Sequence, residues 1–133
     1  MILSTAIISG ILFAIGFIFP EIGFTAYAFA VPFFVILFKY IPNLENKAKK
    51  AYFTTFLFAF CFYFVSYSWL LSMYPLDFAG ISNFLSIFFL LSATLILSAA
   101  HAAFMGFAGY FCIRLIEKFG SAPKRNIFYA VFF

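Results

Sequence analysis

Side chains able to do chemistry are scarce in this chain, and most of them gather in one stretch. From Ser66 to Asn83 the sequence reads SYSWLLSMYPLDFAGISN, which holds the sole tryptophan (Trp69), Tyr67, Tyr74 and the carboxylate of Asp77. Long, almost purely apolar runs flank it on both sides. A polar-aromatic insert in such a setting is either an aromatic belt with a turn at a membrane surface or the rim of a binding site; composition alone favours the belt. His101, the sole histidine, lies well inside the next apolar run. An ionisable group at membrane depth marks a functional site by default, although a neutral His bonded to a Ser or Tyr of a neighbouring helix is the commoner explanation.

The other reactive residues point away from chemistry. Cys61 and Cys112 both fall inside apolar runs. Their expected depths differ by roughly 10–15 Å at helical rise, too far for a disulfide, and they read as small buried hydrophobes. No Cys, Asp or Glu stands at ligand spacing from His101, so neither a metal site nor a cofactor is expected.

The elements that must position these residues follow from composition. The chain has 133 residues, 67% hydrophobic and 9% charged, with a mean hydropathy of +1.14. A soluble domain has about 45–50% apolar and about 25% charged residues, so this is an integral membrane protein. Its 25 Phe residues are spread around helix faces and carry little individual information. The absence of a basic segment before the first apolar run argues against a cleaved signal peptide.

Four apolar runs predict an all-α, polytopic bundle with spanning helices at about 2–19, 24–41, 51–72 and 84–118, and the start of a fifth from 127. Gly10 and Gly16 in the first run allow another helix to approach closely. The Pro20–Gly23 break predicts a tight hairpin with the second run, which Pro32 is expected to kink. Asn43–Lys50, NLENKAKK, reads as a solvated basic loop. The fourth run exceeds a bilayer core of roughly 30 Å and must tilt, break or project beyond it. Within it Ser98, Ala102 and Gly106, with Ala99, Ala103 and Gly109 close by, form a small-residue stripe suited to helix packing.

A net charge of +4 could suit nucleic acid, but the placement of the charges points to a membrane instead. All eight basic residues fall in two places: Lys39, Lys47, Lys49 and Lys50 around the second connection, and Arg114, Lys118, Lys124 and Arg125 after the fourth run. The other two connections carry only Glu21 and Asp77. With four spans this is a positive-inside pattern. It predicts a cytoplasmic N-terminus and an extracytoplasmic loop at 73–83, and no nucleic-acid partner.

The order of features also resembles a known family. Phe19-Pro20 precedes Phe24 and the second helix, and the basic loop comes next. The third helix is aromatic-rich and ends Ser66-x-x-Trp69, and an outer loop leads into a long fourth helix rich in small residues. In these respects the chain resembles the N-terminal membrane region of apolipoprotein N-acyltransferase, an enzyme of the bacterial plasma membrane. The resemblance implies a larger bundle with an outward-facing nitrilase-like domain and a Glu-Lys-Cys triad. In that family the Cys takes an acyl chain from a membrane phospholipid as a thioester and passes it to the N-terminal amine of a lipid-modified lipoprotein substrate. The sequence departs from the family in stopping before any such domain. No catalytic residue carries over, neither Cys61 nor Cys112 can be the nucleophile, and the chain alone is expected to be inactive. Position then selects Trp69, Tyr74 and Asp77 as lipid- or substrate-facing residues. The alternative reading is a small-molecule transporter subunit with His101 and the small-residue stripe along a pathway; the two halves do not look alike, which counts against an inverted repeat. A third is a structural subunit with no site.

Overall fold

A computed structural model describes residues 2–19, 21, 23–76 and 80–119. Asp77, and the apolar run expected from 127, lie outside the described residues. Helix α1 is Ile2–Ile18. Helix α2 is Gly23–Val35 and continues as a π turn, Ile36–Tyr40, and a 3-10 turn, Ile41–Asn43. Helix α3 is Lys47–Ser66 and continues as a 3-10 segment, Tyr67–Met73. Helix α4 is Asn83–Phe119, 37 residues without interruption. The described residues contain no strand.

Three helical stretches are long and apolar enough to cross a membrane: Ala26–Asn43, Lys47–Met73 and Asn83–Phe119. Helix α1, at 17 residues, is shorter. The chain is thus an all-helical membrane protein. At 1.5 Å per residue α4 is roughly 55 Å long, well beyond a hydrocarbon core of roughly 30 Å. Of the three solutions open to an overlong apolar run, α4 does not break.

Glycines set the helix order. A Cβ on Gly16 would stand 2.8 Å from the Cβ of Ala26, so α1 and α2 form a close hairpin. A Cβ on Gly10 would run into the Phe58 carbonyl and stand 3.2 Å from the Cβ of Cys61, so the other face of α1 lies on α3. Phe13 meets Phe58 and Phe62, and Phe17 meets Phe62, so α1 and α3 run parallel. Helix α4 returns antiparallel along α3. Its stripe at Ser98, Ala102, Gly106 and Gly109 is buried; Gly106 faces the Tyr52 ring, and Gly109 faces Thr55 and the carbonyl of Ala51. The spatial order is α2–α1–α3–α4, with directions alternating along the chain. Every described Lys and Arg therefore sits at one end, together with Glu45 and Glu117, whereas Glu21 and Trp69 are at the other.

The core lies toward the basic end. Ala6, Phe33, Ile36, Leu37, Ile41, Ala48, Ala51, Phe58 and Ile113 form one buried cluster, and the rings of Phe33 and Phe58 stack at 4.1 Å.

Two expectations need correction. Residues 47–50 are not loop: α3 begins at Lys47, because Lys and Ala are strong helix formers and Ala48 is drawn into the core. Asn46, at φ 52°, makes the turn into the helix. The third helix does not stay α-helical to Ser72 but tightens to 3-10 winding from Tyr67. Pro32 lies inside helix α2, and the winding changes to a π turn one turn later, at Ile36–Tyr40.

Candidate functional site

The Trp end is built on the continuation of α3. After Ser66 the chain winds as a 3-10 helix in which Ser72 Oγ donates to the Trp69 carbonyl at 2.6 Å. Tyr74 is extended, as the residue before a proline should be (φ −70°, ψ 139°). The Tyr74–Pro75 peptide is cis. The backbone N–H of Leu76 then donates to Ser86 Oγ at 3.4 Å. Thus the chain tracks α4 from Glu117, beside Lys47, almost to the start of that helix. Gly80 turns the chain back at φ 69°, and the Ser82 carbonyl accepts the first helical bond of α4 from the Ser86 N–H at 2.9 Å.

The sequence-selected residues separate here. Trp69 is 59% exposed and Tyr74 41% exposed. No residue of the 3-10 segment is buried. Both aromatics therefore face the surroundings. His101 stands apart from them, beside Tyr63 and Tyr67, with ring centroids 5.1 and 5.7 Å away. Its Nδ1 is 2.9 Å from the Leu97 carbonyl. A carbonyl only accepts, so this network assigns the proton to Nδ1. The Tyr67 hydroxyl, 3.5 Å from the same nitrogen, is at best a second, weaker acceptor. Nε2 has no partner among the described residues.

His101 shares a habit with the polar residues before it. Ser86 Oγ donates to the Ser82 carbonyl, Thr94 Oγ1 to that of Leu90 and Ser98 Oγ to that of Thr94. Each bond runs one turn back along α4, which satisfies a hydroxyl in an apolar setting without help from another helix. Two hydroxyls on α3, Thr55 Oγ1 and Ser66 Oγ, are buried with no partner among the described residues.

His101 bonds no Ser or Cys, so no nucleophile–base pair forms among the described residues. Cys61 and Cys112 are free. No three His, Cys, Asp or Glu side chains of the described residues converge.

Tyr63 was missed by sequence reasoning as a neighbour of His101. Its ring, and that of Tyr67 one turn on, stack at 5.7 Å, and the i, i+4 spacing was readable; what was missing was the register of α3 on α4. The same holds for the cluster at the opposite end. There Glu117 receives Lys47 at 3.3 Å and Arg114 at 3.1 Å, and Arg114 Nε donates to the Tyr110 hydroxyl at 3.2 Å.

The fold is that of a helical membrane protein with exposed aromatic side chains, Trp69 and Tyr74 among them, at the Trp end. No protein-family model, curated protein or solved structure matches the chain.

Proposed function

We propose that this chain is the membrane-embedded, lipid-accommodating part of a lipoprotein N-acyltransferase, crossing a bacterial plasma membrane four times with its N-terminus in the cytoplasm. In this reading α1 also spans, as the first of the four, and its 17 residues, roughly 26 Å of helix, suit a thin or locally thinned bilayer. The Trp end lies outward, beneath a catalytic domain of the kind the resembling family carries, where acyl transfer from phospholipid to the lipoprotein amine takes place. Trp69 and Tyr74 line the mouth through which acyl chains reach that domain, and Asp77 is placed with them by sequence. Besides the resemblance, the observation that carries the reading is the exposure of Trp69 and Tyr74 on a segment with no buried residue. Tryptophan and tyrosine, apolar in body and polar at the tip, suit a lipid boundary.

The transporter reading has less support. The small-residue stripe it would use as a pathway is buried on α3.

The test is acyl transfer by the full-length enzyme in lipid vesicles, followed by mass spectrometry of a diacylglyceryl-cysteine peptide. The Trp69→Ala/Tyr74→Ala double variant should lower the rate about tenfold or more at unchanged expression, roughly the loss of two aromatic contacts. An unchanged rate would remove the assignment. Separately, a reporter fused near Gly80 should be active only in the extracytoplasmic compartment, and cytoplasmic activity would reverse the topology.

A further inference from the structure

At the basic end a cleft of about 430 Å³ opens between the start of α3 and the end of α4. Glu45, Lys47 and Lys49 line it from one side and Tyr110, Arg114 and Glu117 from the other. Its charges are unbalanced: three cations face two carboxylates. Glu117 is shared, one oxygen to Lys47 and the other to Arg114. Lys49 has no carboxylate within ion-pair reach among the described residues. The surplus is also badly placed for a helix on its own. The first turn of α3 has no acidic residue and makes no side-chain cap bond at Asn46, although lysines at that end oppose the helix dipole. An anion in the cleft would relieve both conditions.

The level of the cleft says which anion. Helix α4 exposes Phe104, Phe107 and Phe111 on the way to it, and from Arg114 onward charged residues (Arg114, Glu117 and Lys118) mix with the exposed Leu115 and Phe119. A cleft at that level is at headgroup height for a bilayer around the apolar helices, and basic pockets between membrane helices suit anionic headgroups.

We propose that this cleft binds the phosphate of an anionic membrane lipid, held by Lys47, Lys49 and Arg114. The Tyr110 hydroxyl aims the guanidinium, whose planar fork matches a phosphate edge. Glu117 keeps Lys47 and Arg114 together and competes with the phosphate for them. A zwitterionic lipid presents the same phosphate with its own cation attached, which three basic side chains disfavour. The proposal stands independently of the acyltransferase reading, since it concerns the opposite end of the bundle.

The experiment is native mass spectrometry of the protein from nanodiscs containing phosphatidylglycerol and phosphatidylcholine, with helical content checked by circular dichroism. Phosphatidylglycerol should be retained about tenfold more tightly than phosphatidylcholine. Lys49→Gln, which breaks no ion pair seen in the fold, should weaken it about fivefold, and Arg114→Gln by more. Lys39→Gln, outside the cleft, should leave binding unchanged. Glu117→Gln should tighten it a few-fold by releasing two cations, although it loosens the bridge between α3 and α4. Equal retention of the two lipids, an equal loss in Lys39→Gln, or weaker binding in Glu117→Gln would overturn the proposal. Displacement of the lipid by millimolar inorganic phosphate would overturn the lipid assignment in favour of a soluble phosphate.

Discussion

The two ends of this bundle are made from the same residue types and both expose aromatic rings, Phe104, Phe107 and Phe111 among them toward the basic end, but their buried positions differ. At the basic end Phe33 and Phe58 face inward and stack within a cluster that joins all four helices. At the Trp end Phe17, Phe24, Tyr27, Trp69, Phe84 and Phe88 are exposed. The buried positions there are mostly small: Ala14, Gly16, Ala26, Ser86, Thr94 and Ser98, with Leu90. In lipid, burying an aromatic ring brings no gain from leaving water, so packing and polar contacts decide where helices meet. The basic end has both, in the Phe33–Phe58 stack and in the Lys47–Glu117–Arg114 bridge. The Trp end has close backbone approach and, on α4, hydroxyls that bond one turn back, while its aromatics face the surroundings. One end buries rings as well as exposing them, and the other buries mainly small residues.

The comparison breaks most sharply at Gly109. A Cβ there would collide with the Thr55 side chain, so Gly109→Leu should part α3 from α4 at a cost of about 3 kcal/mol or more, read from unfolding in mixed micelles. Next comes a matched pair of truncations. Phe58→Ala opens a cavity in the cluster and should cost roughly 3 kcal/mol, whereas Phe88→Ala, on the exposed face, should change stability by less than about 0.5 kcal/mol. Equal costs would mean that the two ends are packed alike. Gly80→Ala is smaller. Nothing lies within contact of a Cβ there, but φ is 69°, so the cost is the backbone strain alone, roughly 1–2 kcal/mol. The smallest effect belongs to Glu117→Gln, which should lower the thermal midpoint slightly in low salt and not at all in high salt, since exposed ion pairs are weak and screened.

Much of this contrast was legible in the sequence. The four apolar runs, the glycines that permit close approach, the separation of Lys and Arg from Glu21 and Trp69, and the extended Tyr74 all follow from local rules. Local rules failed where tertiary contacts intervene. Lys47–Lys50 looks like a loop by charge, yet Ala48 has a place in the core and pulls the helix start forward. The rings around His101, and the sharing of Glu117 between a residue on α3 and one on α4, depend on how α3 registers against α4. No period within either helix encodes that register; it is set by Tyr52 and Thr55 seating on Gly106 and Gly109.

The sole tryptophan lets the central claim be measured directly. With the chain in bilayers, Trp69 fluorescence is followed against lipids brominated at increasing depth along the acyl chain, and a Trp69→Phe/Phe58→Trp variant serves as the buried reference. The account predicts strong quenching of Trp69 by the shallowest bromines, declining with depth, and weak quenching of the Phe58→Trp ring at every depth. A Trp69 that no lipid quenches, or two sites quenched alike, would contradict it.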